Sequence, residues 1–287
     1  MSRITAASMA GLLALGLTTT ATAGRPDCTR GNRVYQNGNV KRLTIVGLTA
    51  DSRLVCFGDQ TADRAVEIGP ITGLGGADAT IVGIDFRVQD GKLYGVGSGG
   101  GVYALDVATG AATLAGTLSV TLDGTAFGVD FNPAADRLRI VSNTGQNLRH
   151  DVNTGGTTLQ DGALNYTAGV TTSGIAGAAY TNNDLDPTTV TSLFDLDTAL
   201  DQIAVQAPPN NGSLGATGKL GVDAGSAVGL DVFSAVVDGV TVGNHAFAVL
   251  DDGNGPAFYT IAVLTGTATL VDAFVDPVVD IAIPLAR

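Results

Sequence analysis

Gly83-Ile84-Asp85-Phe86 recurs 45 positions later as Gly128-Val129-Asp130-Phe131, and this repetition decides the fold. Looser copies are Gly177-Ala178-Ala179-Tyr180 and Gly229-Leu230-Asp231-Val232-Phe233. After each copy comes a second apolar run: Leu93-Tyr94-Gly95-Val96, Leu138-Arg139-Ile140-Val141, Leu193-Phe194-Asp195-Leu196 and Ala246-Phe247-Ala248-Val249. A third run follows, in the second repeat Asn147-Leu148-Arg149-His150, and three of the repeats then turn at Thr109-Gly110, Thr154-Gly155 and Thr265-Gly266. Asn210-Asn211-Gly212 takes that place in the remaining repeat. Glycine there supplies the positive φ of a tight turn, and a short fourth run begins at once.

Each repeat therefore reads as four short strands, with a period close to the 40–50 residues of a propeller blade. Such sheets cannot bury both faces alone and must pack around an axis. Residues 43–73 supply only three strands, and Val279-Asp280-Ile281-Ala282-Ile283 at the far end supplies the fourth. The expected fold is an all-β, five-bladed β-propeller, closed by the C-terminal strand pairing into the first blade. A two-domain β-sandwich is the rival, but it gives no reason for aligned repeats.

Composition agrees. Of 287 residues, 40 are Gly, about twice the usual share of roughly 7%. A net charge of −12 argues against a sequence-independent grip on nucleic acid or anionic lipid. Residues 1–23 combine one positive charge at Arg3, an apolar stretch and the small-x-small ending Ala21-Thr22-Ala23, so a signal peptide cleaved before Gly24 is expected. Residues 24–42 then form an N-terminal extension and 43–287 the propeller. No segment reaches the ~18 apolar residues of a membrane span. The expected protein is an exported monomer, periplasmic or extracellular, and in that oxidising setting Cys28 and Cys56 are expected to pair.

Several segments also resemble a known bacterial family, domain of unknown function 4394. They are Gly83-Ile84-Asp85-Phe86-Arg87, Phe127-Gly128-Val129-Asp130-Phe131-Asn132-Pro133, Gln146-Asn147-Leu148-Arg149, Ala179-Tyr180-Thr181-Asn182-Asn183 and Pro208-Pro209-Asn210-Asn211-Gly212. The resemblance spans residues 45–283 and implies a secreted propeller-like module, with no activity or catalytic residues to carry over.

Counting removes much chemistry. With only His150 and His245, a histidine-rich zinc site or a Ser–His–Asp triad lacks material; His150 is expected at a surface or blade edge. Gly95-Val96-Gly97-Ser98-Gly99-Gly100 matches a dinucleotide fingerprint but precedes a strand, where pyrophosphate needs a helix N-terminus. Two loops, Asn182-Asn183-Asp184-Leu185-Asp186 and Asp251-Asp252-Gly253-Asn254-Gly255, offer oxygen ligands for a weak Ca²⁺ site, although hairpin tips collect these residues for backbone reasons alone. No other cofactor is expected.

The repeated aspartates Asp85, Asp130, Asp231 and Asp280 point away from the apolar face of their strands, which brings several carboxylates near the axis. They are expected to accept hydrogen bonds from their own blade's turns, and Arg87, Arg137, Arg139 and Arg149 could neutralise them. The ligand-binding candidates are Asp85, Arg87, Asp130, Arg149, Asn182, Asn183 and Asp231. The leading functional expectation is a non-enzymatic binding or scaffold module for a small molecule, glycan or protein. Its rivals are a carboxylate-based hydrolase or lyase with its site in the central channel, and a Ca²⁺-dependent surface adhesin.

Overall fold

The computed structural model describes residues 26–225 and 227–287; the expected signal peptide lies outside them. Five four-stranded antiparallel sheets form the blades. Blade 1 holds β1 (Thr44–Thr49), β2 (Arg53–Gly58), β3 (Thr61–Pro70) and, innermost, β20 (Val278–Ala282). Blade 2 is β4 (Ile81–Phe86), β5 (Leu93–Gly97), β6 (Gly101–Leu105) and β7 (Ala112–Thr117). Blade 3 is β8 (Phe127–Asn132), β9 (Arg137–Ser142), β10 (Asn147–His150) and β11 (Thr158–Gln160). Blade 4 is β12 (Ile175–Tyr180), β13 (Leu193–Asp197), β14 (Gln202–Gln206) and β15 (Leu214–Lys219). Blade 5 is β16 (Gly229–Val237), β17 (Val240–Asp251), β18 (Pro256–Ile261) and β19 (Ala268–Ala273).

The expected closure is present: β20 pairs antiparallel with β1, Gly47 opposite Ile281, so the chain's end supplies the innermost strand of its first blade. The recurrent turn glycines behave alike, with φ of 77° at Gly110, 77° at Gly155 and 78° at Gly266. The disulfide Cys28–Cys56 ties the N-terminal extension to β2. Asn32 fastens it again, accepting from Thr44 N at 2.8 Å and donating to Pro284 O at 2.7 Å.

The Gly-x-Asp repeat has a packing reason. A Cβ added at Gly128 would lie 2.5 Å from Ala178 N in the next blade, and one at Gly83 would lie 2.4 Å from Val129. Only glycine lets neighbouring inner strands approach this closely. Further out, apolar side chains fill the gaps between blades. Phe57, Phe258 and Phe274 meet edge to face between blades 5 and 1, with ring centroids 5.0–6.3 Å apart. The gap between blades 3 and 4 differs: its apolar cluster is the smallest, built on Val141, Leu164, Ile175, Tyr180 and a few neighbours. Polar side chains complete that interface.

Candidate functional site

Four of the five inner strands carry an aspartate at the same place, and all four are buried. Each reaches forward into the next blade rather than to its own turns, contrary to expectation. Asp280 accepts from Ile84 N at 2.8 Å, Asp85 from Phe131 N at 2.7 Å, Asp130 from Tyr180 N at 3.0 Å and Asp231 from Ile283 N at 2.6 Å. Ala179 stands at the fifth position, so the link from blade 4 to blade 5 has no carboxylate. The reason is geometric: inner-strand amides that face the axis have no further strand to pair with, and a short acidic side chain satisfies them.

Asp85, Asp130 and Asp231 bring carboxylate oxygens within 4.8 Å of one another. Burial, and then the neighbouring carboxylates, pushes Asp85 and Asp130 well above the usual carboxylate range. Burial raises Asp231 to about 7 and Asp280 upward as well. The arginines expected to neutralise this cluster do not reach it. Arg87 follows β4 and turns outward, where its Nε and Nη2 grip both oxygens of Asp136 in blade 3. Arg137 pairs with Asp151 at 3.1 Å, and Arg139 and Arg149 share Asp161. These side chains spring from second and third strands or from turns, too far out to meet the axis.

The arginines assemble a different site. Asp130, Arg139 and Arg149 stand in one row across β8, β9 and β10, paired residue to residue, and so share one face of blade 3. That face is turned to blade 4. Buried Arg139 spends every nitrogen: Nε to Tyr180 Oη at 3.3 Å, Nη1 to Asn147 Oδ1 and Asp161 Oδ2 at 2.7 Å each, and Nη2 to Asn210 Oδ1 at 2.9 Å. Burial holds the Tyr180 phenol above its ordinary range, so it keeps its proton at neutral pH. Above the network opens a pocket of about 260 Å³, lined by Asn132, Ala135, Arg137, Arg139, Arg149, Tyr180 and the Pro208-Pro209-Asn210 turn. Deeper in the same interface Asp195, on the face that carries Ala178, is fully buried with neither oxygen hydrogen-bonded; burial pushes its carboxyl well up.

Of the candidate residues, Arg149 lines this pocket, and Asp130 lies in its row at the axial end. Asp85 and Asp231 sit with Asp130 on the axis, while Arg87 is an inter-blade clamp. Asn182 and Asn183 are elsewhere, binding the long β16–β17 hairpin: Asn183 donates to Val232 O, and Asn182 N donates to Asn244 Oδ1. In the two acidic loops, Asp184 accepts from Thr241 N and Asp251 from Gly253 N and Gly255 N. In the glycine-rich turn, Asp78 already accepts from Gly99 N and Gly101 N, the kind of amide a phosphate would use. His150 is not at a surface: it is buried against Thr158, with Nδ1 3.0 Å from the hydroxyl, because the outer strand β11 and the neighbouring blade cover it. Arg137, Arg139, Tyr180, Asn132 and Asn210 were not among the candidates. The signal for Arg139 was an arginine inside an apolar strand, where the other blades place Tyr94, Phe194, Phe247 or Leu48 opposite the axial position.

The fold and the inter-blade pocket define a β-propeller with a small polar cleft. The chain belongs to the family called domain of unknown function (DUF4394), whose model matches residues 53–282. It has no match among curated proteins. Among solved structures it is similar to a protein of unknown function from Bacteroides thetaiotaomicron, at 14% identity and a TM-score of 0.45, covering 90% of this chain and 70% of that one. TolB from Acinetobacter baumannii is similar at 13% identity and 0.43, covering 86% and 67%. An auxiliary nutrient binding protein from Bacteroides ovatus is similar at 16% and 0.39, covering 75% and 55%.

Proposed function

We propose that the protein is an exported, non-enzymatic binding module that holds a small ligand in the pocket between blades 3 and 4. One observation carries this reading: at that interface the usual apolar filling gives way to a buried polar network that leaves an open pocket. Four of the segments quoted above for their resemblance to the family meet there, contributing Asn132, Arg149, Tyr180 and Asn210. Clefts with a few fixed polar groups on an apolar frame are the usual form of a small-molecule site. The lining contains guanidinium, amide, phenol and proline but no carboxylate, imidazole or thiol, which favours holding over proton exchange or nucleophilic attack. The axial carboxylates support a structural role instead, since each is buried and spends an oxygen on the next blade. The disulfide is the feature that supports export.

Thermal-shift screening of a mixed ligand set, neutral and charged, tests the site. Ala135 is exposed at the pocket mouth, so Ala135→Trp should abolish the shift given by any true ligand. Hits that survive this block would place binding elsewhere and end the proposal.

A further inference from the structure

We infer that the ligand of the inter-blade pocket is a compact oxyanion, with a planar carboxylate the best-fitting head group. The inference rests on the binding reading above and adds the chemistry of what is bound. Three guanidinium groups border the pocket, from Arg137, Arg139 and Arg149, and two carboxylates answer them, Asp151 and Asp161. Counted over these ion pairs one positive charge is left over, in a chain whose net charge is −12, while burial pushes Asp130 and Asp195 in the same interface toward their neutral forms. That excess does not reside on Arg139, whose nitrogens are all engaged, nor on Arg137, held by Asp151 and the backbone oxygens of Ala135 and Asp136.

It resides on Arg149. Only its Nε is committed, to Asp161 Oδ1 at 3.0 Å; among the described residues Nη1 and Nη2 have no partner. Asp161 thus fixes the plane of the guanidinium and leaves its far edge free, the edge that takes a carboxylate through two parallel bonds. Tyr180 supplies a second donor. Its oxygen accepts from Arg139 Nε, so the phenolic hydrogen is free to point into the pocket that the residue lines. Arg139 is itself immobilised by Asn147, Asp161 and Asn210, so the phenol is held in place before any ligand arrives. Pro208, Pro209 and Ala135 add apolar surface to the same lining. A charged head with a small apolar or ring-shaped body fits that division; a volume of about 260 Å³ excludes a large one.

Calorimetric titration of the whole protein with matched charged and neutral pairs tests this: benzoate against benzamide, glucuronate against glucose, with inorganic phosphate and sulfate alongside. The anion of at least one pair should bind about tenfold or more tightly than its neutral twin, the scale of a charge-assisted hydrogen bond. Arg149→Gln should erase that preference while leaving the melting temperature near wild type, because the residue is half-exposed and its loss frees no buried apolar surface. Tyr180→Phe should weaken the anion more than the neutral twin, because a donor to an ionised acceptor contributes more than one to a neutral oxygen. Preference for phosphate or sulfate over every carboxylate would keep the oxyanion and replace its planar head with a tetrahedral one. Equal binding within each pair, blocked by Ala135→Trp, would overturn the inference and leave the pocket reading intact. Absence of any ligand sensitive to Ala135→Trp would overturn both.

Discussion

Asp130 and Arg139 stand directly opposite one another in the β8–β9 register, yet the two side chains turn apart. The carboxylate reaches inward to Tyr180 N and the guanidinium outward to Asp161, at 3.0 Å and 2.7 Å. Both still meet Tyr180, one through its backbone and the other through its hydroxyl. A single residue of blade 4 therefore registers both the axial ring and the wall of the pocket.

The axial carboxylates set a pH dependence. Their folded pKa values lie above the unfolded value of about 3.9, so the native state holds protons that the unfolded chain has released. Their contribution is complete below that pH and is lost as pH rises through the folded values, which for Asp231 is about 7. Each unit of raised pKa corresponds to about 1.4 kcal/mol. Urea midpoints should thus fall between pH 5 and pH 8, and Asp231→Asn should flatten the fall. A midpoint that rises over this interval in wild type, unchanged in the variant, would refute the mechanism.

Burial of His150 acts in the opposite sense and at lower pH. Its pKa is depressed, so its contribution is present above the ordinary imidazole value of about 6.5 and declines as pH falls below it. His150→Gln should soften the acid limb of the stability curve without touching the limb above neutrality.

The aspartates should not act independently. Asp85 and Asp130 are within reach of each other's charge, so the double variant Asp85→Asn/Asp130→Asn at pH 8 should depart from the sum of the singles by about 0.5–3 kcal/mol. Strict additivity in chemical denaturation would mean that the carboxylates do not feel one another.

Inner-strand glycines should be far less tolerant than surface ones. Gly128→Ala forces a methyl against the backbone of Gly177 and Ala178 and should cost about 3 kcal/mol or more. Gly75→Ala meets nothing within 4 Å and should be near neutral. Melting curves of the two variants decide between packing and mere composition as the reason for glycine.

Reducing the Cys28–Cys56 bond should cost about 3–4 kcal/mol, on the chain-entropy scale for a loop of 28 residues. Cys28→Ser/Cys56→Ser should reproduce the loss and make stability indifferent to reductant. Equal melting of the oxidised and reduced protein would assign the bridge no such role.

The propeller was legible because its information is local. Period, alternation and a glycine-ended turn, Thr-Gly in three repeats and Asn-Gly in another, are written within the repeats, and β20 was found from a strand that residues 43–73 lacked. The destination of the axial carboxylates was not legible, because their partners are backbone amides, which every residue possesses. The pocket was half legible. Arg149 stood out, but Arg139 meets Asn210 across 71 residues and two blades, and nothing in either segment alone announces the other.

The forward reach of the axial aspartates gives the ring a sense of direction. Each inner strand offers a carboxylate on one side and takes one on the other, as subunits do in a head-to-tail oligomer, where only cyclic closure leaves no unsatisfied end. The passage from blade 4 to blade 5 is the exception, since Ala179 offers nothing. A circular permutant with its new ends in the segment between Lys219 and Gly229, and the present ends joined, would interrupt the circle where no carboxylate crosses it. The hydrogen-bonded relay would then run unbroken from blade 5 through blade 1 to blade 4 along one continuous chain.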